Sequence, residues 1–229
     1  MLPARSLSRD MATALIAGAS GLVGGHLLRE LLAADEYDRV VAVGRRPLPA
    51  SHPKLTSVVA EFTALDRVAA ELKADDAFCC LGSTRREAGS PEAFRAVDHG
   101  AVLAFAWAAQ RAGARRLFAV SALGADASSR IFYNRVKGET EEALRVLHFA
   151  TLALLRPGLL LGRRARPRPG ERLAAAALWF VEPLLFGRLA KYRAIDAAVV
   201  ARAMLRCSYG TGARGVLVFE PDEIRDLGA

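Results

Sequence analysis

Tyr133 and Lys137 stand four residues apart in the run Tyr133-Asn134-Arg135-Val136-Lys137. On a helix that spacing puts both side chains on one face. An ammonium beside a phenol lowers the phenol pKa, which suits the tyrosine to give or take a proton at a carbonyl or alcohol. The lysine can also hydrogen-bond the ribose of a nicotinamide nucleotide. Many helices carry such a pair by chance, so its meaning depends on what precedes it.

Far upstream, Thr13-Ala14-Leu15-Ile16-Ala17 runs into Gly18-Ala19-Ser20-Gly21-Leu22-Val23-Gly24. An apolar run, three glycines spaced three apart and a helical pattern are the layout of a strand, a tight phosphate-binding turn and a helix N-terminus. Gly18 permits the turn, Gly21 lets the backbone approach a pyrophosphate, and Gly24 lets helix and strand pack closely. The free N–H groups around Ser20, Leu22 and Val23 then face the phosphates, aided by the helix dipole. About 20 residues on, an acidic residue commonly binds the ribose 2′-hydroxyl. Here the second strand ends Val43-Gly44-Arg45-Arg46, with no acid. Two arginines at that place suit a 2′-phosphate through charge-assisted hydrogen bonds. The expected cofactor is therefore NADP(H) rather than NAD(H).

The elements that must position these residues alternate along the chain. Short apolar runs at Thr13–Ala17, Val40–Val43, Ser57–Ala60, Ala77–Leu81, Leu117–Val120 and Thr151–Leu155 read as strands. Helical patterns lie between them, notably Pro91–Ala112 and Ile131–Leu147. This alternation predicts an α/β fold, a doubly wound, mostly parallel Rossmann sheet covered on both faces, with a small C-terminal cap. Residues 1–10 read as a disordered leader and 11–158 as the NADP(H)-binding core. Residues 159–229 read as a cap or substrate region, with a last strand at Gly215–Glu220 returning to a sheet edge.

Composition narrows the partners. The formal charge is +8, yet 28 of the 32 basic residues are arginines and they are dispersed, apart from Arg163–Arg172. No aromatic residues interleave with that cluster as a stacking platform requires, so nucleic acid is not an expected partner. Residues 173–187 are almost wholly apolar but too short to span a bilayer and are broken by Glu182 and Pro183. They suit a pocket wall or a subunit contact, and no stable membrane insertion is expected. Three cysteines, Cys79, Cys80 and Cys207, give no disulfide framework, and no metal-ligand spacing is present. With no convincing signal peptide, a cytoplasmic location is expected. A homodimer or a protein partner is left open.

The chain resembles the short-chain dehydrogenase/reductases of the extended or atypical branch. More narrowly it resembles the HIV Tat-interacting protein family of oxidoreductase-like proteins and its bacterial relatives. The residues that carry the likeness are Cys79-Cys80-Leu81-Gly82-Ser83-Thr84-Arg85, Tyr133-Asn134-Arg135-Val136-Lys137-Gly138-Glu139 and Leu155-Arg156-Pro157-Gly158, with Arg164, Arg168-Pro169-Gly170-Glu171 and Ile224-Arg225-Asp226-Leu227-Gly228. The resemblance implies that Leu81, Gly82 and Ser83 line the nicotinamide ribose, that Pro157 and Gly158 border the nicotinamide ring, and that Tyr133 and Lys137 are the active pair. Two positions depart from the pattern. The expected catalytic serine falls on Ala122, with Ser121 one residue early as the candidate and Ser128 or Ser129 as substitutes. The helix position that often holds a structural asparagine reads Asp98.

These readings lead to an NADP(H)-dependent oxidoreductase acting on a small carbonyl or alcohol, with Tyr133, Lys137 and Ser121 as catalytic residues. Two alternatives stand beside it. One is a non-catalytic NADP(H)-binding regulator that contacts another protein, motivated by Ala122 and the apolar 173–187 segment. The other is a nucleotide-sugar epimerase or dehydratase.

Overall fold

The computed structural model describes residues 12–162, 193–210 and 214–229. The leader, the Arg163–Arg172 loop and the apolar 173–187 segment lie outside them. Seven strands form one sheet: β1 (Thr13–Ala17), β2 (Arg39–Gly44), β3 (Leu55–Val59), β4 (Asp76–Cys79), β5 (Arg116–Val120), β6 (Thr151–Leu155) and β9 (Gly215–Phe219). Their order is β3-β2-β1-β4-β5-β6-β9, and every pairing is parallel. Two-residue strands β7 (Leu160–Leu161) and β8 (Ile195–Asp196) pair separately.

A parallel sheet must hide both faces, which is why the inner strands are continuous apolar runs rather than alternating ones. On one face α1 (Leu22–Ala33), α7 (Ala197–Tyr209) and α8 (Pro221–Gly228) pack through Leu27, Leu31, Val200, Met204 and Ile224 onto Ile16, Phe78 and Phe118. On the other, α2 (Ala69–Leu72), α5 (Val102–Arg111) and α6 (Phe132–Arg145) pack through Leu72, Phe105 and Leu144 onto Leu15, Val41 and Leu154. The sheet therefore has helices on both sides, as the alternation predicts. The order in which strands are added reverses between β1 and β4, so the carboxyl ends of these two strands open onto a crevice, the usual ligand site of such sheets.

Two expectations change. The chain rejoins the core well before the last strand: α7 fills the layer beside α1, so residues 197–209 are core and not cap. Its N-cap Asp196 accepts the Ala198 N–H at 2.7 Å, and eight of its thirteen residues after the cap are small or β-branched, which lets it lie close to the sheet. The Pro91–Ala112 segment is not one regular helix. It comprises α4 (Pro91–Arg95), a π turn at Ala96–Ala101 and α5. Short helix α3 (Arg85–Ala88) precedes it.

Candidate functional site

The glycine turn folds as its spacing predicts. Gly18 adopts φ +83°, and Gly21 N–H donates to Gly18 O at 2.8 Å. A Cβ on Gly18 would lie 2.5 Å from Cys80 O at the end of β4, and one on Gly24 would lie 2.1 Å from Gly18 O. Gly21 caps α1 without any side-chain hydrogen bond, and the first turn, with Val23 and Gly24 buried, holds no acidic residue. Its N–H groups are thus open to an anion. Beside them is a cleft of about 100 Å³ whose walls include Gly18, Ser20, Arg45, Arg46, Phe62 and Leu81. Arg45 and Arg46 are exposed and, among the described residues, make no ion pair or side-chain hydrogen bond. Turn, helix N-terminus and arginine pair, scattered over some 30 residues of sequence, share one wall. That donor set fits the phosphates of a dinucleotide.

Tyr133 and Lys137 occupy the first two turns of α6. The Tyr133 ring rests 5.5 Å from that of buried Phe94 in α4. Lys137 is buried, and its Nζ lies 2.8 Å from Asp98 Oδ1. Asp98 Oδ2 accepts the Ser83 N–H at 2.8 Å and the Ser83 hydroxyl at 2.7 Å. Gly82 lies against the pair: a Cβ there would stand 3.3 Å from Asp98 Oδ1 and 3.5 Å from Lys137 Nζ. Burial disfavours the Lys137 ammonium, but the Asp98 carboxylate, by its charge and its hydrogen bond, outweighs it and holds the ammonium above its ordinary range. The phenol goes the other way from the sequence expectation. Burial raises the Tyr133 pKa, Lys137 lowers it, and Asp98 raises it again, so the net direction is upward.

Ser121 lines a cavity of about 10 Å³ together with Asp98 and Lys137 but bonds neither of them. Its hydroxyl donates to Glu141 Oε1 at 2.5 Å, inside the contact between β5 and α6. Glu141 is in turn gripped by Arg156, Nε to Oε1 at 2.9 Å and Nη2 to Oε2 at 2.6 Å, and Arg156 also reaches Glu220 at 3.2 Å. Ser121 thus serves a buried ionic network that ties α6 to the ends of β6 and β9. The alternation of side chains along a strand turns neighbours to opposite sides, which explains the mismatch of one residue. Ala122, at the expected serine position, is buried. Ser128 donates to Asp126 and Ser129 accepts the Ile131 N–H, so both hold the turn before α6. Pro157 is buried and its carbonyl accepts the Leu123 N–H at 3.0 Å, joining the loops after β5 and β6, with half-buried Gly158 following.

Sequence reasoning missed the partners of these groups. Asp98 was noticed as a departure, not as the counter-ion of Lys137, and Glu141 and Arg156 carried no signal of their pairing. Phe62, in the cleft wall, follows β3 in a stretch with no motif.

A family model described as NAD(P)H-binding matches residues 18–159. The rat protein HTATIP2 is 37% identical over 221 residues, covering 93% of this chain and 88% of its own. The mitochondrial protein fmp52 of Emericella nidulans is 38% identical over 173 residues, covering 72% of this chain and 73% of its own. Among solved structures, the dTDP-glucose 4,6-dehydratase DesIV of Streptomyces venezuelae, with NAD bound, has a TM-score of 0.69 at 18% identity over 94% of this chain and 80% of its own. UDP-glucose 4-epimerase of Thermotoga maritima scores 0.67 at 17% identity, over 91% and 76%. Those two likenesses speak for the fold alone. The expectation of a cytoplasmic protein is overturned by the Fmp52 relatives, which are mitochondrial proteins by name. No described helix is long and apolar enough to cross a membrane. With the glycine turn, the sheet and these relatives in agreement, the chain belongs to the NAD(P)H-binding family and has HTATIP2 and Fmp52 among its relatives.

Proposed function

We propose that this protein is an NADP(H)-dependent oxidoreductase acting on a small carbonyl or alcohol. The observation that carries the reading is the shared cleft wall of the glycine turn and Arg45 and Arg46, with no carboxylate at the end of β2. Two guanidinium groups with no ion-pair partner among the described residues favour a 2′-phosphate over a bare 2′-hydroxyl there. The α1 N-terminus holds the pyrophosphate, Gly82 and Ser83 face the nicotinamide ribose, and the nicotinamide, when bound, supplies the hydride chemistry. Tyr133, kept protonated by its surroundings, donates the proton to the substrate oxygen in the reductive direction and takes it back in the oxidative one. Lys137 stays charged and orients the phenol and the ribose.

Calorimetric titration of nucleotide-stripped protein with NADPH and NADH tests the cofactor, with Arg45→Asp as the control. The expected result is tighter NADPH binding, weakened about a hundredfold in the variant while NADH changes little. Equal affinity for both nucleotides in both proteins refutes the assignment. A carbonyl screen with Tyr133→Phe as the inactive control then tests the chemistry.

One observation favours a second reading. With Ala122 at the usual serine position and the Ser121 hydroxyl committed to Glu141, no described serine orients a substrate oxygen beside Tyr133. That suits an NADP(H)-binding regulator acting through a protein partner. A Tyr133→Phe protein that keeps its biological activity while Arg45→Asp loses it would select this reading.

A further inference from the structure

Asp98 sits in the π turn that joins α4 to α5. Such a turn adds one residue to the helical repeat and re-aims a side chain, and it recurs at functional sites. Here it aims a carboxylate with no exposed surface at Lys137. Ser83 gives Asp98 Oδ2 both of its donors, and among the described residues nothing but the ammonium approaches Oδ1. Hydrogen bonds to a carboxylate and a cation beside it both favour its charged form. The two charges, 2.8 Å apart and walled off by Gly82, sum to zero.

The surroundings leave that sum unchanged. Tyr133 faces Lys137 from the same helix as a neutral phenol, and Cys79 faces it from β4 as a thiol that burial pushes up to about 11. Glu141, one turn further along α6, is already neutralised by Arg156. His99, beside Asp98, bonds Thr140, and burial with Arg95 nearby lowers its pKa, so it is neutral at pH 7.

We propose that Asp98 is a positioning residue that cancels the charge of Lys137, so that the nicotinamide end of the site accepts the positively charged oxidised ring and the neutral reduced ring alike. The inference rests on the cofactor reading above. An uncompensated ammonium at this place would repel the oxidised ring and favour the reduced one.

The test is the ratio of dissociation constants for NADP+ and NADPH, measured by calorimetry at pH 7 without any substrate. Asp98→Asn leaves Lys137 unpaired and should raise that ratio about a hundredfold, as expected for one unit charge about 6 Å away at an effective dielectric constant near 20. Lys137→Met leaves Asp98 with its two Ser83 donors and should shift the ratio the opposite way. Asp98→Asn/Lys137→Met should restore it to within about twofold of the parent. Loss of a ribose contact in the lysine variants weakens both nucleotides equally and cancels in the ratio. If Asp98→Asn does not fold, Lys137→Met and the double variant still decide. Binding of both nucleotides with an unchanged ratio in the single variants overturns the role of Asp98 and leaves the cofactor site standing. Binding of neither nucleotide to the parent protein overturns both.

Discussion

Neighbouring glycines in α1 should respond to the same substitution with opposite signs. In Gly24→Ala the new methyl would stand 2.1 Å from Gly18 O, whereas the shortest ordinary contact of this kind is about 3.3 Å. Helix or turn must yield by roughly 1 Å, and both obstacles are backbone, so no rotamer relieves the overlap. Overpacking of this kind costs about 1–3 kcal/mol, a fall in Tm of roughly 3–10 °C for a chain of this size. The displaced turn also carries the N–H groups offered to the phosphates, so NADPH affinity should fall at least about tenfold. In Gly25→Ala the methyl meets only Ala19 O, at 3.5 Å, an ordinary contact. Removing a glycine from the fourth position of α1 should stabilise by about 0.5–1 kcal/mol, raising Tm by roughly 1–3 °C with affinity unchanged. Differential scanning fluorimetry and calorimetric titration of the two variants read both effects. A Gly24→Ala protein as stable as its parent and binding nucleotide normally would refute the close strand–turn–helix approach on which the site depends.

Other parts of the molecule give equally direct expectations. Ser121→Ala should lose about 1.5–3 kcal/mol in chemical denaturation, from its bond to the buried Glu141 that Arg156 pairs with, and leave NADPH affinity intact; a selective loss of affinity would return Ser121 to the cofactor site. Tyr37 is buried with its hydroxyl 2.6 Å from Asp76, and burial and then the Asp76 charge push its pKa far up. The unfolded chain releases that proton near pH 10 and the folded chain retains it, so stability is full below pH 10 and falls as pH rises above it. Tyr37→Phe should flatten that fall in urea titrations between pH 9 and 11, and an identical slope would show that Tyr37 does not contribute. The Cys79 thiol, buried and thereby pushed up to about 11, should react with a thiol reagent at pH 8 only on unfolding, and rapid labelling of Cys79 in native protein would contradict its burial.

The parts of the site that lie close in sequence were legible from it. The run from Thr13 to Gly24 names its own strand, turn and helix, because the period of the apolar residues changes where glycine allows the backbone to turn. Arg45 and Arg46 follow from the position of β2 beside β1, which the parallel alternation implies. That Tyr133 and Lys137 share one face of α6 follows from helical spacing, and their meaning from the glycine turn upstream. What stayed hidden depends on contacts between distant segments. Asp98 and Lys137 are 39 positions apart, and a π turn leaves no mark on an alanine-rich helical pattern. The direction of the Tyr133 shift could not be read from the spacing, since burial of the phenol, with Asp98 adding to it, outweighs the lysine. Helix α7 was visible as an apolar stretch, but its place beside α1 rather than over the crevice is a matter of packing.

The position of α7 and β9 also constrains how the chain comes to be folded as it is synthesised. Val200, Met204 and Ile224 complete the same apolar layer as Leu27 and Leu31, and β9 covers the open edge of β6. A ribosome making about 5–20 residues per second therefore releases α1 many seconds before its partner helix exists. During that interval the nascent protein presents an uncovered sheet face and an unpaired strand edge, the two features that most invite aggregation. This half of the protein cannot fold vectorially: its nucleotide-binding part is made first and waits for residues 197–224 before the layer beneath it closes.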